Sequence, residues 1–164
     1  MLTLNPLRMY SRWRHGRGFG VHSPFAYHFI TEVLRQPLPY YSYSLIGGRT
    51  ERTIFRIAAF LRPSAVAVAA PRQVREAVAL AVPRARIMAP GEGPADLLIV
   101  DAEAHPGVKV DAGTHAIIIN PEGSTAWRAL AGAMERGMTF AGGGILAVAV
   151  AMPYLPRQHF EVNF

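Results

Sequence analysis

The spacing of apolar residues along the chain changes near residue 63. Before this point, apolar residues recur at helical spacing in residues 25–34 and again from about Thr50 to Leu61, which predicts two amphipathic helices. After it, short and almost wholly apolar runs alternate with amphipathic stretches. Runs of this kind are typical of strands that are buried on both faces of a parallel sheet.

The second part of the chain alternates strands with helices. Pro71 is expected to begin the first of these helices, Ser124 to cap the second and Gly137 to end it. The alternation predicts an α/β fold with right-handed crossovers between parallel strands. The predicted strands are "SAVAVAA" (64–70), "RARIMAP" (84–90), "ADLLIVDA" (95–102) and "THAIIINP" (114–121), and the predicted helices are 71–82 and 124–137.

The end of the chain predicts three more strands, "MTFAG", "GILAVAVA" and "HFEVNF". In the last of them Phe160, Val162 and Phe164 alternate with Glu161 and Asn163, so one face is expected to contact water. Such a strand is typical of a sheet edge, and we expect it to be antiparallel. The predicted fold class is thus Rossmann-like α/β, a reduced parallel sheet with antiparallel C-terminal strands and an N-terminal helical extension.

Charge divides the chain at the same point as the hydrophobic pattern. Residues 1–62 carry nine arginines and two glutamates, so the net charge of +6 arises in this first part. We therefore expect a basic helical extension (1–63) that packs on a trimmed Rossmann-like domain (64–164) as one structural unit. A high isoelectric point alone does not predict nucleic-acid binding.

Composition also bears on compartment and on metal chemistry. The chain has no cysteine, which excludes disulfides and thiolate metal sites. It has no apolar run long enough to cross a membrane, and its first residues lack the apolar segment of a signal peptide. We therefore expect a cytoplasmic protein without a membrane span.

Several segments that together span most of the chain carry a resemblance to a known family. They are "GVHSPFAYHFITEVL", "YYSYSLI", "RTIFRIAAFLRPSAVAVA", "ADLLIVDA", "RGMTF", "GGGILAV" and "RQHFEVNF". Together they resemble bacterial class I S-adenosylmethionine (SAM) dependent methyltransferase-like proteins, which have a similar His-Gly-x-His-Ser-Pro-Phe block, a paired-tyrosine segment and a closing Gln-His-Phe strand. The resemblance implies SAM as the cofactor, at the carboxyl ends of the strands.

The chain departs from this family where SAM would bind. The family has an acidic, glycine-rich turn after the first strand, but this chain has Ala69, Ala70 and Pro71 there and no glycine from Ser64 to Pro90. Alanine disfavours a positive φ, and proline removes a backbone donor. The link between the second and third predicted strands is too short for the further strand and helices that the family has there. Much of the adenine wall is therefore expected to be missing.

The candidate cofactor-binding residues lie where predicted strands end. They are Ala70, Glu92, Asp101 and Asn120. In the family an acid near the position of Glu92 binds the ribose hydroxyls. Each polar candidate also has a structural alternative, Glu92 as a solvated turn residue, Asp101 as a loop cap and Asn120 as a helix cap. His22 is the candidate general base, and its alternative is a hydrogen-bonded structural role.

Other polar residues are assigned structural roles. Ser23 is expected to cap a helix that begins at Pro24, and Asp96 is expected to cap the start of its strand. Asp101, Glu103 and His105 could together bind a metal ion. Since a turn of this kind is usually only polar, no metal is expected.

Two functions from different classes stay open at this point. The first is a degenerate, non-catalytic relative, a pseudoenzyme with a binding or scaffold role that contacts a protein or a small molecule through its basic N-terminal third. The second is an active, trimmed SAM-dependent methyltransferase of unknown substrate, with Asp101 and Asn120 near the cofactor and His22 as a base. The missing glycine turn favours the first, because a fold does not carry a function across the loss of its site.

Overall fold

The computed structural model describes residues 6–15, 20–35 and 41–164 and has an α/β fold with N-terminal helices and a seven-stranded sheet. The helices are α1 (Pro6–His15), α2 (Pro24–His28), α3 (Arg49–Leu61), α4 (Arg72–Ala81) and α5 (Thr125–Ala133), with a π-helix at Phe29–Leu34 and a 3-10 helix at Tyr41–Leu45. The strands are β1 (Ala65–Ala69), β2 (Arg86–Met88), β3 (Leu97–Asp101), β4 (His115–Ile119), β5 (Met138–Gly142), β6 (Leu146–Val150) and β7 (Gln158–Glu161).

The sheet is mixed but mostly parallel, with the strand order β2-β1-β3-β4-β6-β5-β7. The strands β2, β1, β3 and β4 pair in parallel, and β6 is antiparallel to both β4 and β5. The expected antiparallel orientation of the last strand is wrong. β7 lies at the edge of the sheet, but it pairs in parallel with β5. β6 ends beside the start of β5, with Val150 paired to Met138, and residues 151–157 connect to β7 at that same end, where Gln158 also pairs with Met138.

The two faces of the sheet have different packing. On one face, large residues such as Ile99, Ile117 and Phe140 pack against α2, the π-helix, α3 and α4. On the other face, smaller residues such as Ala116 and Ala147 pack against α5. The helices before residue 63 thus share one hydrophobic core with the sheet.

The helix after Ser23 begins as the sequence predicts but changes type. The Ser23 hydroxyl accepts a hydrogen bond from the Ala26 amide (3.3 Å), and Pro24 occupies the first helical position. From Phe29 onward the backbone is a π-helix. The π-helix still buries Phe29 with the neighbouring apolar residues, so the apolar stripe predicts burial correctly without distinguishing an α-helix from a π-helix.

Two connections differ from the expected ones. The helix α5 ends at Ala133, before the predicted stop at Gly137. Gly137 instead leads into β5 with a φ of +111°. The link between Met88 and Leu97 has eight residues rather than four, because β2 ends two residues before the predicted strand and β3 begins two residues after it. It has no helix, as expected.

A polar cluster joins the amino ends of β1, β3 and β4. The Asp96 carboxylate accepts hydrogen bonds from the amides of Ser64 (2.8 Å) and Ala65 (3.1 Å) and from the Ser64 hydroxyl. These bonds lower the pKa of Asp96, and the bond from the Ser64 hydroxyl has the largest effect. The structural role expected for Asp96 agrees with these contacts, since they tie the end of the α3–β1 link to β3.

His115 is the second titratable member of this cluster. Its Nδ1 accepts a hydrogen bond from the Ala151 amide (3.0 Å), which requires the neutral imidazole. Burial lowers the pKa of His115 below its ordinary value of 6.5, although the charge of Asp96 opposes this shift. His115 is therefore neutral in the folded protein near neutral pH.

We expect the free energy of unfolding to fall as the pH drops below 6.5, the ordinary histidine pKa. The unfolded state binds the His115 proton first, because the pKa is lower in the folded state, so acid favours unfolding. Urea denaturation at a series of pH values measures this slope. His115→Gln should flatten it, whereas His105→Gln, on an exposed loop, should not. An equal slope in wild type and His115→Gln would contradict the assignment.

Two glycines offer a matched test of the backbone. A Cβ at Gly137 would lie 2.3 Å from the Val150 carbonyl oxygen, whereas a Cβ at Gly132 in α5 would meet nothing within 4 Å. We expect Gly137→Ala to destabilise the protein by about 2 kcal/mol or more. Gly132→Ala should stabilise it by about 0.5 kcal/mol. Chemical denaturation measures both, and similar values for the two variants would be inconsistent with this backbone geometry.

Candidate carboxyl-edge site

Two of the candidate residues meet at the carboxyl edge of the sheet. Asp101 is the last residue of β3, and Asn120 directly follows β4. Because these strands are parallel neighbours with Asp101 beside Ile119, the two side chains lie at the same edge. The Asn120 Nδ2 donates a hydrogen bond to Asp101 Oδ1 at 3.1 Å. The sequence-based placement of this pair thus agrees with the structure.

The Asp101 carboxylate is already engaged by its own loop. Its Oδ1 also accepts hydrogen bonds from the amides of Glu103 (3.1 Å) and Ala104 (3.4 Å). Three donors therefore converge on one oxygen. This is the geometry of a loop cap, the structural alternative for Asp101.

Asn120 has a conformation that the sequence analysis did not predict. Its φ is +52°, and its amide donates to the Ile145 carbonyl at 3.0 Å. Asparagine is one of the few residues besides glycine that adopt this left-handed region readily. The N-cap of α5 is Ser124, whose hydroxyl accepts a hydrogen bond from the Trp127 amide (3.2 Å). The alternative of Asn120 as the cap of that helix is therefore wrong.

Glu92 and Ala70 lie after the other two parallel strands. The exposed Glu92 carboxylate accepts a hydrogen bond from the Ala89 amide at 2.8 Å, so it closes its own turn. Ala70 is half-buried at the bend that leads to Pro71, the N-cap residue of α4. Neither residue of this bend has a positive φ. The corner therefore does not use the conformation that glycine would provide.

His22 lies apart from the Asp101–Asn120 pair. It is exposed and precedes Ser23, whose hydroxyl lies 3.9 Å from the Met138 sulfur. Met138 begins β5, which runs in the same direction as β4, so this contact is at the amino edge of the sheet. The structure does not bring His22 to the carboxyl edge.

An open cavity of about 540 Å³ adjoins the carboxyl edge. Asn120, Ser124 and Thr125 line it together with two exposed acids, Glu103 and Glu122. In sheets of this kind ligands bind at the carboxyl ends of the strands. The lining of this cavity is polar, and Glu103 and Glu122 make it acidic.

The described part of the chain holds neither a metal cluster nor a membrane span. No group of three or more histidine, aspartate or glutamate side chains among these residues could hold a metal ion, and Asp101, Glu103 and His105 do not form one. None of the helices described here has the length and apolar character needed to cross a bilayer.

A second cavity was missed by the sequence analysis. It has a volume of about 660 Å³ and is lined by Arg35, Arg49, Arg52 and Arg56. The sequence shows an excess of arginine in this part but not which arginines converge. Only the helical spacing of the last three, at positions i, i+3 and i+7, could have indicated a shared face.

Comparisons with known proteins add no assignment. No protein-family model matches the chain, and neither a curated protein nor a solved structure gives a significant match. The geometry of the chain itself must therefore support any proposed function.

We expect Asn120→Ala to be more destabilising than Asn120→Gly, although glycine usually costs more. Both variants lose the hydrogen bond to Asp101, worth about 1 kcal/mol, but alanine adds about 1 kcal/mol of strain at a positive φ. Thermal and urea unfolding give the two values. The reverse order would contradict the left-handed conformation of Asn120.

Proposed function

We propose that this protein is a methyltransferase-like pseudoenzyme that acts by binding a partner molecule rather than by methyl transfer. The observation that carries the proposal is the engagement of the carboxyl-edge carboxylates by the chain itself. Asp101 accepts three hydrogen bonds from its own loop and from Asn120, and Glu92 closes its own turn. To bind the hydroxyls of a cofactor, the two engaged oxygens, Asp101 Oδ1 and Glu92 Oε2, would have to exchange existing partners, which leaves the second oxygen of each carboxylate as the acceptor.

The corner between β1 and α4 gives independent support. In the family that the sequence resembles, glycines let the backbone approach the methionine and ribose parts of SAM. Here Ala69, Ala70 and Pro71 occupy the corner. Their side chains fill space at the backbone, and Pro71 offers no N–H to a ligand. The corner thus lacks one backbone donor of a nucleoside site, and its alanine methyl groups occupy positions that glycine would leave empty.

The basic first third supports a binding role. It holds nine of the arginines, and its helix α1 exposes Tyr10 and Trp13. Arginine and aromatic side chains are enriched at binding surfaces. We therefore place the binding function in this part of the chain.

One observation favours an active methyltransferase as the alternative. The carboxyl-edge cavity is lined by Glu103 and Glu122, whose charges are complementary to the cationic sulfonium of SAM. In this alternative Asn120 would contact the cofactor. His22 lies near the amino edge, away from a cofactor bound at the carboxyl edge. A methyltransferase of this kind would therefore need a base other than His22.

Calorimetric titration with SAM and with S-adenosylhomocysteine decides between the two. We expect no saturable heat at ligand concentrations of about 1 mM and no rise in melting temperature. Saturable binding in the micromolar range would refute the pseudoenzyme. In that case Asp101→Ala should weaken binding far more than Ala104→Gly, a change in the same loop that removes no polar group.

A further inference from the structure

The arginine pocket is a concave cavity built from separate segments of the N-terminal third and the end of the chain. We use this name for the cavity lined by Arg35, Arg49, Arg52 and Arg56, together with Trp13 and Tyr43. Its volume of about 660 Å³ is within the range of small-molecule sites. No acidic side chain lines it among the residues that the structure describes. Phe164, the last residue of the sequence, also lines it, but its carboxylate forms no salt bridge with a described residue.

Arg56 is held in a fixed position by neutral oxygen atoms. Its Nε donates to the Val33 carbonyl (2.7 Å), its Nη2 to the Leu34 carbonyl (2.9 Å) and the Thr53 hydroxyl (3.0 Å), and its Nη1 to the Tyr43 hydroxyl (2.9 Å). These contacts orient a half-buried guanidinium. They satisfy donors but do not neutralise its charge.

Arg52 converges on the same tyrosine. Its Nε donates to the Ile46 carbonyl (3.0 Å) and its Nη2 to the Tyr43 carbonyl (3.3 Å), and its guanidinium carbon lies 5.3 Å from the centre of the Tyr43 ring. Within the described part of the chain, no hydrogen bond involves its Nη1. The two arginines therefore flank Tyr43, one at its ring and one at its hydroxyl.

Arg49 completes a row of positive charge along α3. It is the exposed first residue of the helix, and its spacing to Arg52 and Arg56 places all three on one face. Like charges at such spacing repel, and removing a charge partly from water without an opposite charge beside it costs free energy. Salt bridges to these three residues are not found within the described residues. A bound anion would supply the missing negative charge.

We infer that the arginine pocket binds the phosphate group of a phosphorylated small molecule. A phosphate carries close to two negative charges and three acceptor oxygens, which suits several arginines better than a single carboxylate does. The planar guanidinium presents paired N–H donors that match phosphate oxygens. The pocket has more room than phosphate alone requires, so it can also hold the rest of an ester or a nucleotide.

The shape of the site favours a small molecule over a nucleic acid. Arg52 and Arg56 are recessed and fixed by hydrogen bonds, whereas contacts to a nucleic-acid backbone extend over a basic surface. The inference assigns a class of ligand to the binding role proposed above, and it rests on that proposed role. The phosphate and SAM titrations are separate measurements, so each proposal can fail alone.

The test is calorimetric titration of the full chain with inorganic phosphate, glycerol 3-phosphate and adenosine 5′-monophosphate, each to about 10 mM. We expect saturable binding of at least one of the two phosphate esters, accompanied by a rise in melting temperature. Arg49→Gln should weaken the binding of the ester about tenfold. Arg52→Lys keeps the charge but loses the planar guanidinium, and it should weaken binding to a similar extent.

Arg84→Gln is the matched control, since it removes the same charge from an exposed position outside the pocket. It should change the dissociation constant by less than about twofold. Four outcomes would overturn the inference: no saturable binding of either ester, binding of inorganic phosphate alone, equal weakening by Arg84→Gln, or an RNA oligonucleotide that binds more tightly than every small phosphate. Circular dichroism of each variant shows that it is folded.

Discussion

The two-sided burial of β1, β3 and β4 is the constraint on which the rest of the structure depends. Successive residues of a strand point to opposite faces, so Ile99 faces the N-terminal helices while Val100 faces the side covered by α5. Both faces must therefore be covered. The segment before residue 63 covers one face together with α4, and α5 covers the other together with the loop residues Val108 and Val110. Polar side chains are in turn confined to the strand ends, with Asp96 at the amino edge and Asp101 at the carboxyl edge.

This constraint also explains how much of the fold the sequence predicts. Each of the four predicted parallel strands contains an observed one. A strand buried on both faces has a nearly continuous apolar run, which explains the prediction of β1, β3 and β4, whereas β2 is only partly buried. The edge position of β7 was predicted correctly from its alternating pattern, but its direction was predicted wrongly. Direction depends on the path of residues 151–157 between β6 and β7, and alternation is the same in parallel and antiparallel strands.

The sequence predicted where the candidate site residues lie in the fold, but it did not predict which hydrogen bonds they form. Polar residues at the ends of neighbouring parallel strands meet at one edge, which is why the sequence could place both Asp101 and Asn120 near one candidate site, although it did not predict their contact. That Asp101 accepts hydrogen bonds from its own loop depends on local backbone geometry, for which the sequence has no periodic signal. The same limit applies to Gly137, where a turn signal was read as a helix end, and to the arginine pocket, where distant segments converge.

The arginines of the pocket differ in how far a structural role accounts for their presence. Arg56 links the π-helix and the 3-10 helix to α3 through hydrogen bonds, and this structural role is sufficient reason for its presence. Arg52 has such a role only in part, since its Nη1 has no hydrogen bond among the described contacts. Arg49 is exposed beside both, where a neutral helix former would avoid repulsion between like charges. The case for a bound anion therefore depends on Arg49 and Arg52, while Arg56 provides the rigid floor of the pocket.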